Sequence, residues 1–437
     1  MLKSNSNPMR IVITHGLPDD NPGGCAIALG MIRALKLKFP NSVISLISYY
    51  GDQKKLPKIH RYLLKNFPDL ELLPTPIPSR IEAYSGSLPF ARYLRGIKWI
   101  TGIVCSTMKL LLPAVWLRSK TYNRIKQADI VLSRGTQIFY DKPRFPMRNF
   151  ISLYWITYPI LIAKKLRKRY VIYAHSFGPL KKPSSVWLIK KVLQLVDLIL
   201  VRENISRRFL LSLGISDKKI VVVPDAAFGI APSSEETTRE IVNSLELPFR
   251  KYLTVTVRKW RDACDSTPFL NKMSQLIDSI LEANMVEKCV IVTHVRCGPA
   301  SSEDDTHVSQ KLFELIRNKD KTMLINKEFS PAVLVSLYSG AKLMIGTRLH
   351  SVLMALIGGT PSIAISYSGP KTHGIMQMLG MQEFVVNMGD LDTNRTLNLV
   401  CKLVDNNSKW RNMISKKVSY VRERALTTPD LLFQERI

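Results

Sequence analysis

Cysteine is rare in this chain of 437 residues, which contains only six. They are scattered at positions 25, 105, 264, 289, 297 and 401, with no C-x-x-C motif and no zinc-ligand spacing. This pattern excludes a disulfide-stapled scaffold, predicts no metal site and is typical of a reducing cytoplasm. The first eight residues lack the apolar run of a signal peptide, so we do not expect secretion.

Acidic residues are also in short supply, with 34 Asp and Glu against 63 Lys and Arg, for a net charge of +29. The imbalance is local, because residues 80–170 hold 18 Lys and Arg and only three acids. The same stretch contains apolar runs at 97–117 and 150–163, followed by a basic cluster at 164–169. Such clusters beside aromatic runs favour an anionic membrane surface over nucleic acid as the partner.

Three interpretations of the run at 97–117 stay open: a membrane span, a helix lying on the membrane, and a buried core helix. Lys98, Lys109 and Pro113 interrupt the run, which counts against a span. We expect a cytoplasmic protein held peripherally on the inner face of the cell membrane.

The order of apolar runs indicates the fold class. Short β-branched runs alternate with amphipathic helical stretches, a pattern typical of parallel α/β sheets. Residues 229–236 are small, polar and proline-containing, as linkers often are. We therefore predict two Rossmann-like domains facing a cleft, at 1–235 and 236–437. The first carries a basic and apolar insertion at about 55–125, and we expect its part at 57–117 to be irregular.

The most informative stretch, residues 342–367, predicts a strand, a tight turn, a helix and a second strand. Thr347 is placed to cap the helix, so Arg348 and His350 fall in its first turn, where backbone N–H groups favour an anion. Arg348 adds a planar fork that suits a carboxylate or phosphate, and His350 a group that exchanges protons near neutral pH. A surface arginine and a buried, satisfied histidine are the alternative interpretation.

Further polar residues follow predicted strands in the first half: His175, Ser176, Arg202, Glu203, Ser206 and Asp225. An Arg202–Glu203 pair that merely holds its loop is as common as an anion site. His175 and Ser176 are placed to contact sugar hydroxyls. Asp225 either orients Arg202 or caps a turn.

Six motifs, taken in order, resemble the polysaccharide pyruvyl transferase family over about residues 10 to 390. They are S-R-G-T-x-x-F-Y-D (133–141), A-H-S-F-G-P (174–179), V-R-E-N-I-S (201–206), P-D-A-A-F (224–228), I-G-T-R-L-H-S (345–351) and I-S-Y-S-G-P-K (365–371).

The resemblance implies a fold like that of the GT-B glycosyltransferases. It implies phosphoenolpyruvate as donor and co-substrate, with no cofactor, and a sugar of an envelope oligosaccharide, free or lipid-linked, as acceptor. The positions that match the family's donor site are Arg202, Arg348, Leu349 and His350. Arg348 and His350 are predicted to take part in catalysis. Ser351 and Lys371, which lie in the same motifs, are predicted to bind substrate, as are the six polar residues of the first half named above. The first domain is then the acceptor side and the second the donor side.

Two other functions are compatible with the sequence. A GT-B glycosyltransferase that uses a nucleotide sugar would share the fold, because a fold does not fix a function. A non-catalytic protein that binds the membrane surface would account for the basic, aromatic stretch.

Overall fold

The structure is a computed structural model that describes residues 8–79, 89–141, 146–259, 266–297, 304–367 and 371–434. It contains two compact units. The first comprises Met1–Asp19, Ile27–Ala226 and Ala425–Ile437, and the second Asp20–Ala26 and Ala227–Arg424.

Seven strands form the sheet of the first unit: β1 (Arg10–Gly16), β2 (Val43–Ser48), β3 (Glu71–Leu73), β4 (Ile130–Ser133), β5 (Arg169–His175), β6 (Leu198–Val201) and β7 (Ile220–Val222). All neighbours pair in parallel, in the order β3-β2-β1-β4-β5-β6-β7. Central strands such as β6 are buried along their whole length, which explains their continuous apolar runs.

The helices that begin in the first half of the chain are α1 (Pro22–Lys38), α2 (Leu56–Ile59), α3 (Arg61–Asn66), α4 (Pro89–Leu111), α5 (Lys120–Gln127), α6 (Pro146–Lys165), α7 (Pro183–Leu195) and α8 (Asn204–Ser212). The prediction that 57–117 is irregular was wrong, since this stretch contains α3, β3, the whole of α4 and most of α2. These elements were not predicted because proline and lysine interrupt the apolar periodicity of the sequence in this stretch.

Helix α4 is buried on one face, where Trp99 and Ile103 join the core of the first unit. Its Thr107 hydroxyl lies 2.9 Å from the hydroxyl of Tyr154 on α6. Across the described ranges of the chain, no helix combines the length and the hydropathy that a membrane span requires.

Six strands form the sheet of the second unit: β8 (Tyr252–Thr256), β9 (Lys288–Val292), β10 (Thr322–Ile325), β11 (Leu343–Gly346), β12 (Ser362–Ser366) and β13 (Val385–Asn387). They are also parallel, in the order β10-β9-β8-β11-β12-β13. The remaining helices are α9 (Glu235–Asn243), α10 (Thr267–Glu282), α11 (Thr306–Leu315), α12 (Pro331–Ser339), α13 (Leu349–Ile357), α14 (Lys371–Met378), α15 (Thr393–Asp405) and α16 (Asn407–Thr427). Two parallel α/β sheets confirm the predicted fold class.

The division into units differs from the predicted ranges 1–235 and 236–437, because Asp20–Ala26 belongs to the second unit and Ala425–Ile437 to the first. The residues after α16 pack on the first unit, where Lys38 pairs with Asp430 at 2.6 Å and the Arg169 side chain donates to the Leu432 carbonyl. Phe39 and Phe433 also meet edge to face. A single linker near 229–236 could not indicate this return, because it depends on contacts between residues far apart in sequence.

Candidate active site

The carboxyl edge of the second sheet gathers polar side chains from four strands. They are Arg258 after β8, His294 and Arg296 after β9, Arg348 after β11, and Tyr367 after β12. In parallel sheets the carboxyl ends of all strands meet at one edge, where ligands bind. Strand β8 lies between β9 and β11, so the order reverses at its position and leaves space between the following loops.

Arg348 forms a two-pronged ion pair with Asp305. Its Nε lies 2.9 Å from Oδ2 and its Nη2 lies 2.6 Å from Oδ1, with 10% of the Arg348 side chain and 1% of the Asp305 side chain exposed. Burial raises the pKa of the Asp305 carboxyl, and the guanidinium groups of Arg348 and Arg258 oppose that rise. The Val295 N–H also donates to Asp305, so the loop after β9 is tied to the start of α13.

The helix after β11 begins one residue later than predicted. Arg348, with extended backbone, is the N-cap residue of α13, and Thr347 stays attached to β8 because its N–H donates to the Thr256 carbonyl. His350 is therefore the second helical residue and is half-buried. A Cβ on Gly23 would lie 2.5 Å from the Cβ of His350, so only glycine allows this approach.

Lys371, a predicted binding residue, lies against Tyr367, which was not predicted. The Lys371 Nζ is 2.9 Å from the Tyr367 hydroxyl, and the Arg258 guanidinium lies 4.0 Å above the ring. Burial raises the pKa of the phenol, but the charges of Lys371, Arg258 and Arg348 outweigh it and lower the pKa to about 8. The group can therefore exchange a proton near neutral pH.

His294 adds a neutral imidazole to this edge. Its Nδ1 is 3.0 Å from the Tyr338 hydroxyl, and burial lowers its pKa well below the ordinary value, with Arg348 and His350 acting in the same direction. Its Nε2 is buried and has no hydrogen-bond partner within the described part of the chain. Buried polar atoms are normally paired, so this nitrogen is a candidate ligand contact.

The two other predicted residues on α13 point into the unit. Leu349 is buried. The fully buried Ser351 hydroxyl donates to the Arg348 carbonyl at 2.7 Å and lies 2.7 Å from the Thr256 hydroxyl. Both residues hold the helix start in place, and their contact with substrate stays a prediction.

In the first unit, Arg202 is buried in an ion pair. Its Nη1 donates to Asp225 at 2.5 Å and its Nε donates to the Ser176 hydroxyl at 2.6 Å, with 1% of either charged side chain exposed. Asp225 thus orients Arg202, one of the two roles considered for it. The Arg202–Glu203 pair is not the contact that holds this loop. A contact between Arg202 and the donor stays a prediction.

His175 and Ser176 are completely buried, so neither is open to a sugar in this structure. The His175 Nε2 lies 2.8 Å from the Ser133 hydroxyl, which is 3.1 Å from His15 Nδ1. Burial lowers the pKa of His175 well below its ordinary value and that of His15 to about 4. The pair of neutral imidazoles braces the centre of the sheet.

The structure separates the predicted residues into two groups. Arg348, Leu349, His350, Ser351 and Lys371 lie in the second unit, and the six residues from His175 to Asp225 lie in the first. Sequence reasoning missed Arg258, His294, Asp305 and Tyr367. The only signal for Arg258 and His294 was a position just after a predicted strand, whereas Tyr367 stood in the motif at 365–371 without a predicted role.

The chain was compared with known proteins. The family model described as polysaccharide pyruvyl transferase matches residues 21–369. The amylovoran biosynthesis protein AmsJ of Erwinia amylovora is 26% identical over 439 residues, covering 95% of this chain and 96% of that protein.

Solved structures show the same fold at low identity. HepE of Anabaena in complex with UDP superposes with a TM-score of 0.57 at 10% identity, covering 97% of this chain and 98% of that one. The UDP-GlcNAc 2-epimerase of Neisseria meningitidis gives 0.56 at 12% identity, covering 97% and 99%. These similarities are to GT-B-like glycosyltransferases and epimerases, as the predicted architecture requires.

Glu203 generates a prediction on stability. Burial raises the pKa of this carboxyl to about 7 from an ordinary 4.5, although the Ser206 hydroxyl donates to it. The folded protein thus binds the proton more tightly than the unfolded chain does. The free energy of unfolding should fall by about 3 kcal/mol as pH rises from below 4.5 through about 7.

Glu203→Gln should remove this part of the pH dependence, because an amide does not titrate. Urea unfolding of the full chain at about pH 5 and about pH 8 measures the difference. Glu236→Gln, at an exposed glutamate, is the control and should keep the wild-type difference. An unchanged pH dependence in Glu203→Gln would contradict the prediction.

Proposed function

Because the chain belongs to the polysaccharide pyruvyl transferase family, we propose that it moves the pyruvyl group of phosphoenolpyruvate onto a hydroxyl pair of a glycan sugar. The family model covers residues 21–369, and the similarity to AmsJ spans nearly the whole of both chains. The protein is therefore a transferase of polysaccharide biosynthesis. The donor, the ketal product and the envelope or exopolysaccharide acceptor are the proposed part.

One observation carries the proposal: the cations at the carboxyl edge of the second sheet. Arg258, Arg348 and Lys371 all lower the pKa of Tyr367 through their positive charges, and Arg348 is paired with the carboxylate of Asp305. The N-terminus of α13 adds its dipole at the same place. Phosphoenolpyruvate carries a carboxylate and a phosphate, so a site with several cations and a helix N-terminus suits it.

The reaction divides into steps that these residues can serve. A proton adds to the methylene carbon of phosphoenolpyruvate, a sugar hydroxyl attacks the adjacent carbon, phosphate leaves, and a second hydroxyl closes the ketal ring. One hydroxyl proton balances the new methyl group and the other leaves with phosphate. We assign His350 to proton donation and Tyr367 to removal of a hydroxyl proton. Arg258 and Lys371 would stabilise the departing phosphate.

The proposed reaction needs no cofactor, because phosphate is a sufficient leaving group once the carbon is protonated. The acceptor is an oligosaccharide, free or lipid-linked, which we assign to the first unit, and the donor to the second. Peripheral attachment to the anionic inner face of the cell membrane completes the proposal, and nucleic acid is not a partner.

A nucleotide-sugar glycosyltransferase is the competing function. HepE is known in complex with UDP, but at 10% identity the similarity to it concerns the fold alone. The experiments therefore compare the two donors directly.

Phosphoenolpyruvate should stabilise the isolated protein against heat, because a ligand that binds the folded state raises stability by mass action. At a concentration of about 100 times Kd the gain is about 2.7 kcal/mol. Differential scanning calorimetry with phosphoenolpyruvate and with UDP-glucose measures it. A shift with UDP-glucose and none with phosphoenolpyruvate would establish the glycosyltransferase instead.

Arg348 tests the donor site, provided that stability and catalysis are separated. Arg348→Ala leaves Asp305 buried without its main cation, which should cost about 3–5 kcal/mol of stability. The double variant Arg348→Ala/Asp305→Asn should regain most of that stability and still lose about 2–4 kcal/mol of transition-state stabilisation. Arg348→Lys should rescue turnover poorly, since a point charge cannot replace the fork.

The readouts are thermal unfolding and phosphate release from phosphoenolpyruvate with a glycan acceptor. Near-normal turnover in the stable double variant would remove Arg348 from the site.

His350→Gln keeps the size and hydrogen bonding of the side chain but cannot transfer a proton. Phosphoenolpyruvate binding should survive while kcat falls by about 10²- to 10⁴-fold. His307→Gln, at an exposed histidine on α11, is the control and should leave kcat unchanged. Equal losses in affinity and turnover would instead mark His350 as a binding residue.

A further inference from the structure

The outer face of α4 is apolar although it is exposed to solvent. We define the α4 face as this stripe together with the turn that follows it: Ile97, Ile100, Val104, Met108, Leu111, Leu112, Val115 and Trp116. The spacing along the helix places its members on one side. Leu111 is 85% exposed and Trp116 is 68% exposed.

The opposite side of α4 is the side that packs against the core of the first unit. Trp99 and Ile103 are buried there, and the Ser106 carbonyl accepts a hydrogen bond from the Tyr158 hydroxyl at 2.9 Å. The α4 face therefore is not needed for packing. A contiguous exposed apolar patch of this kind marks an interaction surface.

The fold brings basic residues to the end of this face. The Lys165 Nζ donates to the Leu110 carbonyl at the last turn of α4, at 2.7 Å. Lys165 and Arg167 then line an open hollow together with Ala114 and Val115. These two segments are far apart in sequence, so only the structure shows that the basic cluster 164–169 borders the apolar tip.

The charge of the residues around the α4 face indicates what binds to it. Residues 89–128 contain eight Lys and Arg and no acid. Pairing of this face with a second copy would bring like charges together, whereas an anionic lipid surface neutralises them. Trp116 at the tip is also the residue type that favours the headgroup region.

We propose that the α4 face inserts into the interface of an anionic lipid bilayer, with Lys109, Arg118, Lys165 and Arg167 against the headgroups. This inference rests on the peripheral attachment proposed above and names the surface responsible for it. It is independent of the donor site, which lies in the other unit.

Co-sedimentation of the full chain with vesicles tests the proposal. We expect binding to phosphatidylcholine vesicles that contain phosphatidylglycerol, weak binding to phosphatidylcholine alone, and loss of binding as salt rises. Leu111→Ser/Trp116→Ser and Lys109→Ala/Arg118→Ala should each weaken binding to the anionic vesicles by about tenfold or more. Leu37→Ser and Lys54→Ala/Lys58→Ala, at exposed positions elsewhere in the first unit, should bind like the wild type.

Equal binding by the α4-face variants and the wild type would overturn the proposal. A second result would also overturn it: a wild-type protein that is a dimer, does not bind vesicles, and becomes a monomer in Leu111→Ser/Trp116→Ser. The α4 face would then be a contact between two copies of the chain. The thermal shift with phosphoenolpyruvate, measured on the same variants, separates the two proposals. If phosphoenolpyruvate still shifts the unfolding temperature but the wild type does not bind vesicles, the membrane proposal fails and the donor proposal holds. If the wild type binds vesicles but phosphoenolpyruvate causes no shift, the donor proposal fails and the membrane proposal holds.

Discussion

A guanidinium and a carboxylate, both largely withdrawn from water, meet where β11 gives way to α13. Arg348 and Asp305 neutralise each other through two parallel hydrogen bonds, which offsets much of the cost of burying either charge. The Asp305 N–H also donates to the Val295 carbonyl after β9, and the Val295 N–H donates to the Asp305 carboxylate. The loops of two strands are thereby fixed to one helix start. The attraction for the proposed anionic donor would then come largely from Arg258, Lys371 and the helix N-terminus, because Asp305 already balances the charge on Arg348.

The comparison of Arg348 with Arg202 shows why residue type and position do not decide function. Both follow a strand and both bind an aspartate, Asp305 or Asp225. The difference is access: 1% of the Arg202 side chain is exposed, against 10% of the Arg348 side chain. An ion pair that is fully withdrawn from water holds loops together, whereas a pair that stays partly exposed can still meet a ligand.

Local patterns predicted the features that depend on neighbours in sequence. Strands β6 and β12 are buried along their whole length, which is the pattern that predicts parallel strands from sequence. Ser330 caps α12 through a hydrogen bond from the Val333 N–H, a contact between near neighbours in sequence. Contacts between residues that follow different strands could not be predicted from local patterns. Nothing in the spacing of Asp305 relates it to Arg348, since the segments meet only when the sheet forms. The Thr347 cap failed for a similar reason, because that residue stays attached to β8.

The polar residues of the two units serve opposite purposes. In the first, the neutral imidazoles of His15 and His175 are bridged by Ser133 at the centre of the sheet, and burial keeps them uncharged. A charged imidazole there would face Arg134 and pay for desolvation as well, so this network is a rigid support and cannot titrate near neutral pH. In the second unit, Tyr367 has a pKa of about 8 because cations surround it at a sheet edge. Proton transfer at physiological pH requires such a group, and we therefore expect the chemistry to reside in the second unit.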